Sequence, residues 1–92
     1  MLTVKSQTVP ASAAIPVTAS HLLITPVSGV QANRVSIVRA PQPGTLLLVE
    51  NRDDNDTTGA IACPGGSRCV FVYGSALAGA SFKLFAPIKR IV

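Results

Sequence analysis

Reactive side chains are few in this chain, so each can be weighed for the chemistry it could support. Cys63 and Cys69 flank the tight segment Pro64-Gly65-Gly66-Ser67-Arg68, close enough along the chain for a disulfide to span. A bridge there would close a small loop and add about 2 kcal/mol. Two buried thiols are the alternative. A single Cys-x5-Cys pair is not a zinc signature. His21 is the only histidine and lies in the apolar run His21-Leu22-Leu23-Ile24. A general base or metal ligand needs partners, and no serine or cysteine here sits in a nucleophile signature. Gly74-Ser75-Ala76 lacks the second glycine of the nucleophile elbow. Asp54-Asn55-Asp56-Thr57-Thr58-Gly59 resembles the opening of a calcium loop, but position twelve, where a bidentate Glu belongs, is Gly65. Asp54 and Asp56 stay as weak metal candidates beside the reading of a solvated turn. No cofactor is expected, and the chain reads as a protein without enzymatic chemistry.

Charge is scarce and unevenly placed. Only 13% of residues are charged against 48% hydrophobic, and the formal net charge is +4. Globular chains carry about 25% charged residues. All four acids, Glu50, Asp53, Asp54 and Asp56, fall within one short stretch, while the eight basic residues are dispersed along the chain. A chain of 92 residues has much surface and few charges to cover it, so apolar or small polar surface must face outward, as at contact sites. An acidic loop on a thinly basic body suits electrostatic matching between copies or with a larger surface. The uncharged run from Ser6 to Asn33 contains Pro10, Pro16 and Pro26 and is no membrane-spanning stretch. The start, MLTVKSQTVP, lacks the basic and apolar blocks of a signal peptide.

The elements that must position these groups read as strands. Leu2 and Val4 alternate with Thr3 and Lys5. Residues 10–20, rich in Pro, Ala and Ser, predict an extended arm or surface loop, since Pro10 and Pro16 oppose a regular helix or a central strand. His21–Thr25 is a short apolar strand ended by Pro26, with a helical turn as the competing reading. The run Arg34–Ala40 and the run Thr45–Glu50 surround Pro41-Gln42-Pro43-Gly44, which predicts a hairpin. The unbroken Leu46–Val49 suggests a strand covered on both faces. Ala60–Cys63 and Cys69–Tyr73 predict a second hairpin, and Ser81–Ala86 alternates again. The expectation is an all-β fold, a small antiparallel sandwich or barrel of six to seven short strands. Residues 1–20 would form an arm or edge strand and residues 21–92 a single β domain.

With its Pro/Ala/Ser-rich arm (Thr8–Ser20), neutral β core and terminal Leu84-Phe85-Ala86…Ile91-Val92, the chain resembles in style the small decoration or cement proteins of tailed-phage heads. That resemblance implies a virion structural protein that oligomerises, often as trimers, and binds a major capsid protein through strand addition and an ordered arm. Leu2, Val4 and Ile15 would be arm contacts; Leu46, Leu48, Phe82 and Phe85 would be core or interface residues. Two other readings stand beside it. One is a nucleic-acid-binding β-barrel, disfavoured by the dispersed basic residues, with Phe71, Tyr73, Phe82 and Phe85 as a stacking platform. The other is a secreted binding domain stapled by Cys63 and Cys69.

Overall fold

The computed structural model describes residues 3–74 and 81–91. Nine strands follow one another in it: β1 (Thr3–Pro10), β2 (Ile15–Val17), β3 (Ala19–Thr25), β4 (Arg34–Ile37), β5 (Leu46–Asn51), β6 (Thr58–Gly59), β7 (Ser67–Tyr73), β8 (Phe82–Leu84) and β9 (Lys89–Arg90). No helix occurs among the described residues, and none is therefore long and apolar enough to cross a membrane.

The architecture is not the antiparallel sandwich or barrel that the sequence suggested. Strands β1, β3 and β5 lie side by side and parallel in one sheet, while β2, β4 and β6 lie parallel in a second. The chain thus crosses from one sheet to the other with each strand, and each circuit lays its strands beside those of the circuit before. Three circuits are completed this way. Then β7 runs back antiparallel to β5, and both β8 and β9 pair with the far side of β7. The larger sheet has the order β1-β3-β5-β7-β8, with β9 beside β7.

Neither predicted hairpin forms. β4 and β5 belong to different sheets, so Pro41-Gln42-Pro43-Gly44 carries the chain across the molecule instead of folding it back. Pro41 and Pro43 offer no N–H to a ladder, and Gly44 holds φ at 88°. The exit of this crossing is tied to β7, where Gly44 N donates to Tyr73 O and Tyr73 N to Thr45 O, both at 2.9 Å. Ala60–Cys63 is not a strand, and β7 takes its partners from β5, β8 and β9. Of the arm or edge strand expected over residues 1–20, the described residues form the edge strand, β1, and no free arm. Residues 11–19 complete the first circuit, and Ala11, Ile15, Val17 and Ala19 are all buried.

Two corner devices explain how proline- and serine-rich sequence can wind this way. At one corner a single residue, Thr18, separates β2 from β3. The Gln7 side chain clamps it: Nε2 donates to Pro16 O at 2.6 Å and Oε1 accepts from Thr18 N at 3.0 Å. At the opposite corner a polar ladder links successive circuits. Asn33 N donates to Ser12 O, Ser12 N to Asn33 Oδ1, and Thr58 N to Asn33 O. Asn33 has φ of 44°, a left-handed conformation that Asn tolerates better than most residues.

One core lies between the sheets. Leu22, Ile24, Leu47, Val49, Cys69 and Phe71 enter it from the large sheet, and Ile15, Val17 and Val35 from the small one. Strict alternation puts Leu47 and Val49 inside, whereas Leu46 is 47% exposed and Leu48 half-buried on the outer face. The Leu46–Val49 run is therefore covered on one face only. Where β4 and β6 meet, space is short. Gly59 holds φ at 86°, and a Cβ there would come within 2.5 Å of Val35 O. Gly59→Ala should lower stability by about 1–3 kcal/mol from backbone strain alone, read as a lower urea midpoint.

Candidate functional site on the outer face of the large sheet

The parity that sends Leu22, Leu47 and Phe71 inward sends their neighbours outward. Cross-strand register then assembles a polar line from four strands. Ser6 of β1 stands opposite His21 of β3, and Glu50 of β5 stands opposite Arg68 of β7. Ser6 Oγ lies 2.9 Å from His21 Nδ1, and His21 Nε2 lies 3.0 Å from Glu50 Oε1. Glu50 Oε2 also faces Arg52 at 3.5 Å and Arg68 at 3.7 Å. Glu50 retains only 13% side-chain exposure and His21 28%. Burial pushes the Glu50 carboxyl upward, but the His21 hydrogen bond and the nearby Arg68 and Arg52 outweigh it. Its pKa falls below the ordinary value. An ionised Glu50 can only accept, so His21 Nε2 donates to it, and in the neutral ring Nδ1 is then the nitrogen that accepts from the Ser6 hydroxyl. Beside this line the same face carries Leu46, Leu48, Val70 and Val72, with Leu46 opposite Val72 and Leu48 opposite Val70.

The other sequence-predicted residues fall into different places. Ile15 is 1% exposed and Phe82 is buried, so both serve this chain's own core. Phe82 packs edge-to-face on Tyr73, with centroids 5.0 Å apart. Phe71 is buried with them, which leaves Phe85, 61% exposed, as the only aromatic ring on the surface. Val4 belongs to β1, while Leu2 lies outside the described residues.

Cys63 and Cys69 are free thiols, both buried, with sulfurs 3.1 Å apart. Burial, and then the neighbouring Cys69, push the Cys63 thiol far above its ordinary pKa. It is held as a thiol, and the thiolate is the reactive form.

The acidic loop divides between surface and interior. Asp54 is exposed, and Asp56 Oδ1 accepts from Gly65 N at 2.9 Å. No group of three or more His, Cys, Asp or Glu among the described residues could hold a metal ion. Asp53 is instead a buried structural carboxylate. Its Oδ2 accepts from Asn33 Nδ2 at 2.9 Å, Asn55 Nδ2 at 3.0 Å and Asn55 N at 3.2 Å, and its Oδ1 from Val27 N at 3.3 Å. Asn51 joins the cluster by donating to Asn55 O and Cys63 O.

Sequence reasoning missed the Ser6–His21–Glu50 line because its members lie 15 and 29 residues apart. Only the parallel register of β1, β3 and β5 brings them together. Alternation in each strand was the one available signal, and it gives parity without register. Compared with protein-family models, with curated proteins and with solved structures, the chain finds no match.

Proposed function

We propose that this chain is a structural protein that self-associates and docks on a larger protein assembly, in the manner of a capsid decoration protein in a virion. The observation that carries the reading is the apolar rim beyond β7. Leu84, Phe85 and Ile88, at 49%, 61% and 44% exposure, cluster within five residues where β8 and β9 form one border of the large sheet. Exposed apolar side chains grouped along one sheet border supply a surface for protein contact, with the Phe85 ring as its anchor. The surrounding charges are cationic, Lys83, Lys89 and Arg90, which orients an acidic partner surface more than it adds affinity.

Light scattering after size exclusion, over a range of concentrations, tests the reading. A defined oligomer that dissociates in Phe85→Ser is expected, and the same substitution should abolish co-sedimentation with tailed-phage heads stripped of their accessory proteins. Monomer at every concentration, together with no head binding, would overturn it.

A further inference from the structure

We propose that Ser6 is a nucleophilic site, activated by His21 and Glu50 and able to take an acyl group from small esters or thioesters. The inference is separate from the assembly reading and survives its failure. It stands on the two contacts of 2.9 and 3.0 Å that join the three side chains in a row. That is the nucleophile–base–orienter arrangement of acyl-transfer sites. The roles of the ring nitrogens are exchanged relative to the serine-protease triad, where the hydroxyl meets Nε2. The chemistry requires only that one nitrogen accept while the other donates to a carboxylate. Arg52 and Arg68 hold Glu50 in place from the far side. Ser6 itself is exposed on the outermost strand of the sheet, so an acyl donor can reach it. The half-buried Leu23 and Leu48 share its face and offer an apolar floor.

The step balances within these groups. Ser6 Oγ attacks the acyl carbonyl carbon while its proton passes to His21 Nδ1. The tetrahedral intermediate collapses, the bond to the leaving alkoxide, phenolate or thiolate breaks, and His21 returns the proton to that group. The product is an ester on Ser6. Water then attacks the same carbonyl and gives a proton to His21 Nδ1; the tetrahedral intermediate collapses, the bond to Ser6 Oγ breaks, His21 returns the proton to that oxygen, and the carboxylic acid leaves. Ser6 stands exposed to solvent, which fits small, activated acyl donors and little discrimination among them.

The test uses the purified chain with p-nitrophenyl acetate, following p-nitrophenolate release and mapping the acetylated peptide by mass spectrometry. One acetyl on the peptide that holds Ser6 is expected, with release lost in Ser6→Ala. His21→Ala should slow labelling of Ser6 by about 100-fold, the usual contribution of a positioned base. His21→Gln, whose amide can still bond to Glu50, serves if the alanine variant does not fold. Acetylation confined to lysines or the N-terminus would overturn the proposal. So would labelling of Ser6 at an unchanged rate in a folded His21 variant.

Discussion

Replacing Asp53 by alanine should cost about 3 kcal/mol or more, a large fraction of the roughly 5–14 kcal/mol that holds a domain of this size. The carboxylate is 2% exposed and accepts four hydrogen bonds from three separate segments, Val27, Asn33 and Asn55. Its loss strips a buried charge-assisted network from the corner where the circuits stack, and leaves donors inside with fewer acceptors. Urea unfolding of Asp53→Ala against the parent chain measures the loss. A change under about 1 kcal/mol, the size of one ordinary hydrogen bond, would show that the corner holds without it.

The same group gives the fold an acid limit. Burial alone would raise the Asp53 pKa, but the hydrogen bonds from Asn55, Asn33 and Val27 prevail and lower it. A carboxyl depressed in the folded state stabilises fully above its unfolded pKa, and this contribution fades as pH falls through the folded one. Glu50 is shifted in the same direction and adds to the slope. Stability should therefore drop on the acid side of the ordinary carboxylate range. Asp53→Asn, which cannot titrate, should show a shallower acid slope when urea midpoints are compared across pH.

Leu47→Ala should be as damaging, by about 2–5 kcal/mol. Leu47 is fully buried on β5, which is flanked by β3 and β7. Leu48→Ala, one residue along, removes a half-buried side chain from the outer face and should cost less than half as much. The pair is informative because a slip of one residue would exchange every inward and outward side chain of the strand. If Leu48→Ala proved the more destabilising, the register of β5, and with it the Ser6–His21–Glu50 line, would be wrong.

By itself the sequence determined that this is a small β-rich chain with little charge and turns at its Pro/Gly clusters, because alternation and turn residues are local properties. It placed strands at His21–Thr25, over Thr45–Glu50 and through Cys69–Tyr73, near their observed bounds. The tertiary structure alone decided partner and direction. Pro41-Gln42-Pro43-Gly44 signals a turn in either topology, and only the contacts of the following strand choose between a hairpin and a crossing to the other sheet. Pro16 opposed a regular helix or a central strand, and β2 is neither, pairing on one side only, with β4. An edge strand can carry a residue without an N–H, so Ile15 and Val17 reach the core. His21 appeared to have no partner because its neighbours in sequence are apolar. Parallel stacking of β1, β3 and β5 supplied Ser6 and Glu50 from a distance that no local pattern encodes.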